Sequence, residues 1–291
     1  MSRVLTIDVP TGVRAYQLDT DRGPFAVLDA SPSAGARRGT ALLLPGFTGS
    51  KEDFLPLLAP LAGAGFHAVA IDGRGQYESP GPREESAYAQ WELARDAVAQ
   101  SAALADGGGP LHLLGHSLGG LIARAAVLDA APAPLPWASL TLMSCGPAAV
   151  GAAQRVRTRM LVDALGGMDM DDIWQVMRAL EADGATAAAA EVEAFRHRRW
   201  MSTVPEQLIA TGRQLIDEPD RVAELAAAPL RKLVVSGAED GTWPVPGLDE
   251  MARRLRAERV VIDGGGHSPG VHRPAETARA LTAFWSPARD R

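Results

Sequence analysis

Six short apolar runs, each followed within a few residues by glycine, proline or aspartate, constrain the fold of this chain most. Apolar residues are continuous in these runs, which is typical of strands buried on both faces. Segments with helical spacing of apolar residues lie between them, as at Leu248, Met251 and Leu255. Strands that alternate with helices predict an α/β fold with a mostly parallel, doubly wound sheet. The runs are Ala41–Leu44, Ala68–Ile71, Leu111–Leu114, Leu140–Met143, Leu233–Val235 and Val260–Ile262.

Two regions lack this alternation of strands and helices. Near the beginning, polar and apolar residues alternate at Leu5–Val9 and Phe25–Leu28, which predicts antiparallel strands at one edge of the sheet. Between about residues 146 and 220 only helical patterns remain. We therefore expect an α/β core formed by residues 1–145 and 221–291, with a helical cap of residues 146–220 inserted between two late strands.

Composition and charge exclude several classes of function. The chain has 291 residues, 46% of them hydrophobic, and can bury a large core. Its net charge is −6 without a run of five like charges, so nucleic acid is not expected as a partner. Cys145 is the sole cysteine, which rules out an internal disulfide. Neither a secretion signal nor an apolar stretch of about 18 residues occurs, so we expect a soluble, cytoplasmic protein without a membrane span.

A serine between glycines is the strongest candidate for chemistry. The strand pattern of Leu111–Leu114 continues into Gly115–Gly120, which reads Gly-His-Ser-Leu-Gly-Gly, and a helical pattern follows. A G-x-S-x-G sequence between a strand and a helix forms a tight turn that lifts the serine hydroxyl above the sheet, because small neighbours let the backbone reverse there. Ser117 is therefore predicted to be a nucleophile.

A serine hydroxyl is a weak nucleophile at neutral pH, so it requires a base and a group that orients the base. His267 follows three glycines after the last predicted strand, and we expect it to be the base. Asp240 comes shortly after the strand Leu233–Val235 and is the expected acid. The alternatives for these two roles are His272 as base and Glu239 as acid.

Attack by a serine on a carbonyl group also creates an oxyanion, which two backbone N–H groups usually stabilise. The N–H of Leu118, next to the candidate nucleophile, is the first expected donor. The second is expected from a loop after an earlier strand, and the run Pro45–Gly49 follows Leu44. Its glycines allow the loop to bend, and we predict that the N–H of Phe47 points toward the site.

These motifs resemble the α/β-hydrolase superfamily, in particular its capped single-domain members, over nearly the whole chain. The serine, the acid and the histidine follow one another in that family's order. Asp72–Gly75 is similar to the family's Asp-x-Arg-Gly loop. The chain departs from the family at Pro45-Gly46 and Gln76-Tyr77, where members often have His-Gly. The residues to which the resemblance assigns catalytic roles are Ser117, Asp240, His267, Phe47 and Leu118.

Four side chains are candidates for the lining of a substrate pocket. His116 flanks the nucleophile, and Trp243 follows the acid. Trp174 and Trp200 lie in the predicted cap, where apolar side chains serve packing as often as binding. No nucleotide-binding motif and no metal-ligand spacing occurs in the sequence. We therefore expect no cofactor, no metal and a small apolar or acyl substrate.

The main hypothesis is a serine hydrolase that cleaves a carboxylic ester or thioester through an acyl-enzyme intermediate. The same triad could instead hydrolyse an amide or a C–C bond, or transfer the acyl group to an alcohol. A non-catalytic binder of small molecules is a further alternative that the fold permits. A complete triad argues against such a binder, because binding alone does not require a nucleophile, a base and an acid together.

Overall fold

The computed structural model describes residues 4–33, 35, 37–105, 109–131, 134–182 and 190–286. In this part of the chain, eight strands form one sheet. The strands are β1 (Val13–Thr20), β2 (Gly23–Ala30), β3 (Gly39–Leu44), β4 (Phe66–Ile71), β5 (Leu111–His116), β6 (Ser139–Met143), β7 (Arg231–Gly237) and β8 (Glu258–Ile262). Their order across the sheet is β1-β2-β4-β3-β5-β6-β7-β8.

The strands β3 to β8 run parallel, and all six predicted strands lie within them. The strands β3 to β7 are buried on both faces, as in β3, where Leu42 belongs to one apolar cluster and Leu43 to another, whereas β8 at the edge of the sheet is partly exposed. The predicted doubly wound α/β sheet is thus confirmed. Parallel strands end at the same side of a sheet, and ligands of such folds bind there. We call this side, with the loops that follow β3 to β8, the carboxyl edge.

The antiparallel part of the sheet is a hairpin of β1 and β2, and β2 pairs antiparallel with β4. The prediction of a strand at Leu5–Val9 is wrong, because this segment has no strand structure and β1 begins at Val13. The reason is the tight turn at Asp21-Arg22. This turn pairs Thr20 with Gly23. The residues that pair with β2 are therefore those directly before the turn, back to Val13.

Helices cover both faces of the sheet. The core helices in the described residues are α1 (Leu55–Gly63), α2 (Gln90–Ala103), α3 (Leu118–Ala130), α8 (Val222–Ala227), α9 (Val245–Leu255), α10 (Pro269–His272) and α11 (Pro274–Trp285). Side chains of α1 and α11 pack on one face, and those of α2, α3, α8 and α9 pack on the other. No helix of the described chain has the length and apolar character that crossing a membrane requires.

Between β6 and β7 the described chain is helical: α4 (Ala152–Leu165), α5 (Met170–Ala182), α6 (Ala190–Ser202) and α7 (Pro205–Asp217). We call these four helices the helical insertion. They share an apolar cluster apart from the two that flank the sheet. Buried Arg199 of α6 donates to Asp53 of the core over 2.9 Å, and the N–H of Val204 donates to the carbonyl of Gly75 over 2.9 Å. These bonds fasten the insertion to the core.

Candidate active site

Ser117 occupies a strained turn at the carboxyl edge, between β5 and α3. Its φ of 54° and ψ of −119° lie in a region that costs a residue with a side chain about 1–3 kcal/mol. Its N–H donates to the carbonyl of Met143 over 2.9 Å, which holds the turn against β6. A Cβ at Gly119 would lie 2.3 Å from the carbonyl oxygen of Leu44. The motif needs glycine at this position because the helix start touches the loop after β3.

Three side chains from separate loops form one chain of hydrogen bonds at this edge. The distance from His267 Nε2 to Ser117 Oγ is 3.0 Å, and that from His267 Nδ1 to Asp240 Oδ1 is 3.0 Å. An ionised carboxylate only accepts hydrogen bonds, so Nδ1 carries the proton and Nε2 accepts from the serine hydroxyl. The fold therefore brings together the three residues that the sequence singled out, although Ser117 and His267 are 150 positions apart.

The surroundings of Asp240 favour its ionised form. Burial of its side chain raises the pKa, but the hydrogen bonds from His267 and from the N–H of Thr242 (2.9 Å) outweigh burial, and the pKa lies below its usual value. The Ser144 hydroxyl lowers this pKa further, although its contact with Asp240 falls outside normal hydrogen-bond geometry. The sequence analysis missed Ser144. Its place directly after β6, at the same edge, is the signal that could have found it.

His116 supports the backbone of the candidate base. Its Nε2–H donates to the carbonyl oxygen of His267 over 2.8 Å, and the two ring centroids are 5.1 Å apart. Burial, together with repulsion from His267, lowers the pKa of His116 to about 4, so its ring is neutral at neutral pH. A neutral ring held in this way keeps the loop of His267 in place.

The alternative base and acid lie outside this chain of hydrogen bonds. His272 is exposed, and its Nδ1 accepts a hydrogen bond from the N–H of Gly266 over 3.1 Å. Glu239 is exposed as well, whereas the side chain of Asp240 is buried against His267. The geometry therefore favours His267 over His272 as the base and Asp240 over Glu239 as the acid.

The loop after β3 lies directly against the candidate nucleophile. A Cβ at Gly46 would lie 3.2 Å from the Cβ of Ser117. Gln76, where the family often has histidine, donates from Nε2 to the carbonyl oxygen of Gly46 over 3.1 Å and so orients this loop. Within the described chain, the N–H groups of Phe47 and Leu118 donate to no protein acceptor. Both are available to an oxyanion.

A cavity of about 800 Å³ opens at Ser117 between the carboxyl edge and the helical insertion. Its size is within the range of small-molecule sites, about 300–1,000 Å³. Side chains of α4 and α5 form its outer wall, and several remain in contact with water, as Leu180 is 73% exposed and Met160 63% exposed. The apolar wall consists of Met160, Leu161, Ala164, Met168, Ile173, Val176, Met177 and Leu180.

Of the four side chains expected in the pocket, His116 lines this cavity, and the three tryptophans are not among its described lining residues. Trp243 is buried in the core, and its Nε1–H donates to a backbone carbonyl oxygen 2.9 Å away. Trp174 and Trp200 pack in the apolar cluster of the helical insertion. For Trp174 and Trp200, helical spacing in the sequence favours burial but does not indicate whether the ring packs in the apolar cluster or lines the cavity.

The structure adds polar lining residues that the sequence analysis missed. Gln154, Arg157 and Thr158 of α4 face the cavity, at spacings that place them on one side of the helix. Their periodicity is visible in the sequence, but nothing local tells which side of α4 meets the site. The described residues contain no group of three or more His, Cys, Asp and Glu arranged to hold a metal ion.

The fold is that of an α/β hydrolase, and the comparison with known families agrees. Residues 41–280 match the model of the Alpha/beta hydrolase family. The chain therefore belongs to this family and is a hydrolytic enzyme. A hydrolase of this family with a cavity of this size acts on a small molecule.

Similar proteins include several named hydrolases. A protein of Variovorax paradoxus (strain S110), named "Putative carbamate hydrolase RutD", is 31% identical over 258 residues, which cover 86% of this chain and 93% of that protein. A thermophilic esterase from Thermogutta terrifontis has a TM-score of 0.71 at 21% identity, covering 93% of this chain and 97% of that one. An esterase from Exiguobacterium antarcticum has a TM-score of 0.75 at 17% identity, covering 94% and 99%. At these identities, the two structures support the fold alone.

Proposed function

We propose that this hydrolase cleaves carboxylic esters or thioesters through an acyl-enzyme, with Ser117 as nucleophile, His267 as general base and Asp240 as the residue that orients the base. The observation that carries the proposal is the pair of 3.0 Å hydrogen bonds that link the three side chains, two of which, Ser117 and His267, line the cavity. The strained backbone of Ser117 adds support, because such strain persists where the surrounding structure holds it for a purpose.

In the acylation step, His267 Nε2 accepts the hydroxyl proton while Ser117 Oγ attacks the carbonyl carbon. The buried carboxylate of Asp240 stabilises the imidazolium that forms. The N–H groups of Phe47 and Leu118 donate to the oxyanion of the tetrahedral intermediate. When the intermediate collapses, His267 gives its proton to the leaving alcohol or thiol, and the acyl group stays on Ser117.

In the deacylation step, His267 accepts a proton from water, whose oxygen attacks the acyl carbon. Collapse of the second intermediate returns the proton to Ser117 Oγ and releases the carboxylic acid. Two positioning residues act in both steps: His116 fixes the backbone of the base, and Gln76 fixes the carbonyl of Gly46 in the oxyanion loop. Neither touches the reacting atoms.

We also propose that residues 146–220 act as a cap that selects the substrate, while residues 1–145 and 221–291 form the catalytic core. The apolar side chains of α4 and α5 opposite Ser117 support this division. An acyl chain or another hydrocarbon group fits such a wall, because its burial releases about 25 cal/mol for each Å² of apolar surface removed from water.

Hydrolysis of a carbamate is a second candidate reaction, because the relative with 31% identity is named a carbamate hydrolase. Attack of Ser117 on a carbamate would leave a carbamoyl group on the serine. The carbamate nitrogen donates electron density to the carbonyl carbon, so this intermediate reacts with water more slowly than an acyl-enzyme does. A carbamate substrate would therefore be recognised by slow deacylation after a rapid first turnover.

The test uses 4-nitrophenyl esters of increasing acyl length and the matching 4-nitrophenyl carbamate, together with labelling by a fluorophosphonate. We expect esterase activity, a label on Ser117 by mass spectrometry, and a loss of about 10⁴- to 10⁶-fold in kcat for Ser117→Ala. Ser268→Ala is the matched control, since Ser268 also lines the cavity but lies outside the hydrogen-bond chain. Full esterase activity of Ser117→Ala, or a label on another residue, would contradict the proposal.

A further inference from the structure

The cavity lining carries charge of one sign. Arg157 of α4 is the only lysine or arginine among the described lining residues. No aspartate or glutamate is among the described lining residues. The cavity therefore combines an apolar wall with a single guanidinium group.

Arg157 has no carboxylate partner in the described part of the chain, and neither do its exposed neighbours Arg155 and Arg159. Several other arginines of the protein do have such partners, for example the exposed Arg253 with Glu250 and Arg254 with Asp220. The chain as a whole has a net charge of −6, so α4 forms a local positive surface on an acidic protein.

The position of α4 relative to the triad is fixed. At its start, the N–H of Gly151 donates to the carbonyl of Thr242 over 3.0 Å, in the loop that carries the acid. Farther along α4, Thr158 follows Arg157 and lies near the oxyanion loop. A Cβ at Gly212 of α7 would lie 3.6 Å from Thr158 and 3.4 Å from the ring of Phe47 in that loop. Arg157 is therefore about 9 Å along the helix from Gly151, on the wall beside the oxyanion loop.

On the basis of the function proposed above, we propose that the substrate carries a negatively charged group besides its scissile ester, and that the guanidinium of Arg157 binds this group. The substrate class is an amphiphilic ester with a carboxylate, sulfonate or phosphate. The planar guanidinium fork donates to such groups with two parallel hydrogen bonds. Leu161, Ile173 and Met177 contact the hydrocarbon part.

The experiment compares two esters with the same six-carbon acyl chain, neutral 4-nitrophenyl hexanoate and the anionic mono-4-nitrophenyl ester of adipic acid. We expect Arg157→Gln to lower kcat/KM for the adipate ester about five- to twentyfold and to change the hexanoate ester less than about twofold. Arg157→Lys should recover part of the loss. High salt should weaken the preference of the wild type, because an exposed charge is screened.

Arg159→Gln is the matched control, because Arg159 is an exposed arginine of the same helix that is not among the described cavity-lining residues. It should change both esters by less than about twofold. Equal losses on both esters with Arg157→Gln, or no change on either, would overturn the proposal. Ser117→Ala distinguishes failure of the proposed function from failure of the role of Arg157. If this variant keeps its activity on both esters, the proposed function is wrong. If activity depends on Ser117 but Arg157→Gln shows no preference between the esters, only the role of Arg157 is refuted.

Discussion

The carboxyl edge of the sheet and the helical insertion face each other across the same cavity, but they are built differently. At the edge, backbone touches backbone, so that a single added Cβ at Gly119 would lie 2.3 Å from a carbonyl oxygen. On the insertion, a Cβ at Gly167 would have nothing within 4 Å, and lining side chains such as Leu180 are largely exposed. The edge therefore fixes the geometry of the reaction, while the insertion can change side chain by side chain without moving the triad.

After removal of the nucleophile itself, the largest effect is expected at the edge, from Asp240→Asn. The amide cannot stabilise the imidazolium and can donate to His267 Nδ1, which favours the wrong tautomer, so kcat should fall about 10⁴-fold. Steady-state kinetics with a 4-nitrophenyl ester measure the loss. Glu239→Gln is the control, since Glu239 is the exposed neighbour in the same loop and should be nearly neutral. Similar activity of the two variants would mean that the acid has been assigned to the wrong residue.

A pair of glycine substitutions tests the comparison directly. In Gly119→Ala the new methyl group meets the carbonyl oxygens of Leu44 at 2.3 Å and Pro45 at 2.6 Å, both of them backbone atoms that cannot rotate away. We expect a loss of activity of about a hundredfold and a free energy of unfolding lower by about 1–3 kcal/mol. Gly167→Ala in the insertion should leave both quantities nearly unchanged. Chemical denaturation and ester hydrolysis measure them, and equal behaviour would remove the distinction between the regions.

His116→Phe should lower kcat about tenfold, because the carbonyl of His267 loses its hydrogen-bond donor and the base is held less firmly. His197→Phe is the matched substitution on the insertion, where the ring is exposed and contacts Asp171. It should not change kcat. A kcat that is equally insensitive to both substitutions would show that His116 does not position the base.

His116→Phe should also change how the stability of the protein depends on pH. The pKa of His116 is lowered to about 4 in the folded chain, and an unfolded histidine titrates near 6.5. Between these values the unfolded chain binds more protons, so the stability of the wild type should fall as the pH drops from about 6.5 to 4, by up to about 1.4 kcal/mol per pH unit from this group. His116→Phe should show a shallower slope in denaturation experiments at several pH values.

The smallest effect is expected from Leu180→Ser on the insertion. The side chain is 73% exposed, so the fold should not depend on it, and stability should change by less than about 0.5 kcal/mol. Esters with long acyl chains should lose about two- to fivefold in kcat/KM, because the wall loses apolar surface. Acetate esters, which end before this point of the cavity, should react as before. A uniform loss for all chain lengths would argue against a role of α5 in selecting the acyl group.

The sequence predicted most where neighbours along the chain decide the structure. Continuous apolar runs identified all six parallel strands. In β3 to β7 the reason is that strands covered on both faces leave no room for polar alternation, whereas β8 at the edge of the sheet is partly exposed. The turn at Ser117 was predictable because a strand, a glycine-flanked serine and a helix are adjacent in the chain. The prediction of the outer strand at Leu5–Val9 was wrong, because the position of β1 depends on the register of the hairpin and not on the alternation of polar and apolar residues.

Tertiary structure alone decided how the parts meet. The sequence marked Gln76 only as a departure from the family and did not single out Ser144, because both side chains act on residues distant in sequence, Gly46 and Asp240. Helical spacing in the insertion showed which residues share a side of a helix, but not that Arg157 faces the cavity while the tryptophans pack in apolar clusters. The sequence thus determined the candidate catalytic residues, since each lies in the segment that follows its strand. The cavity depended on how distant helices pack, which no local pattern records.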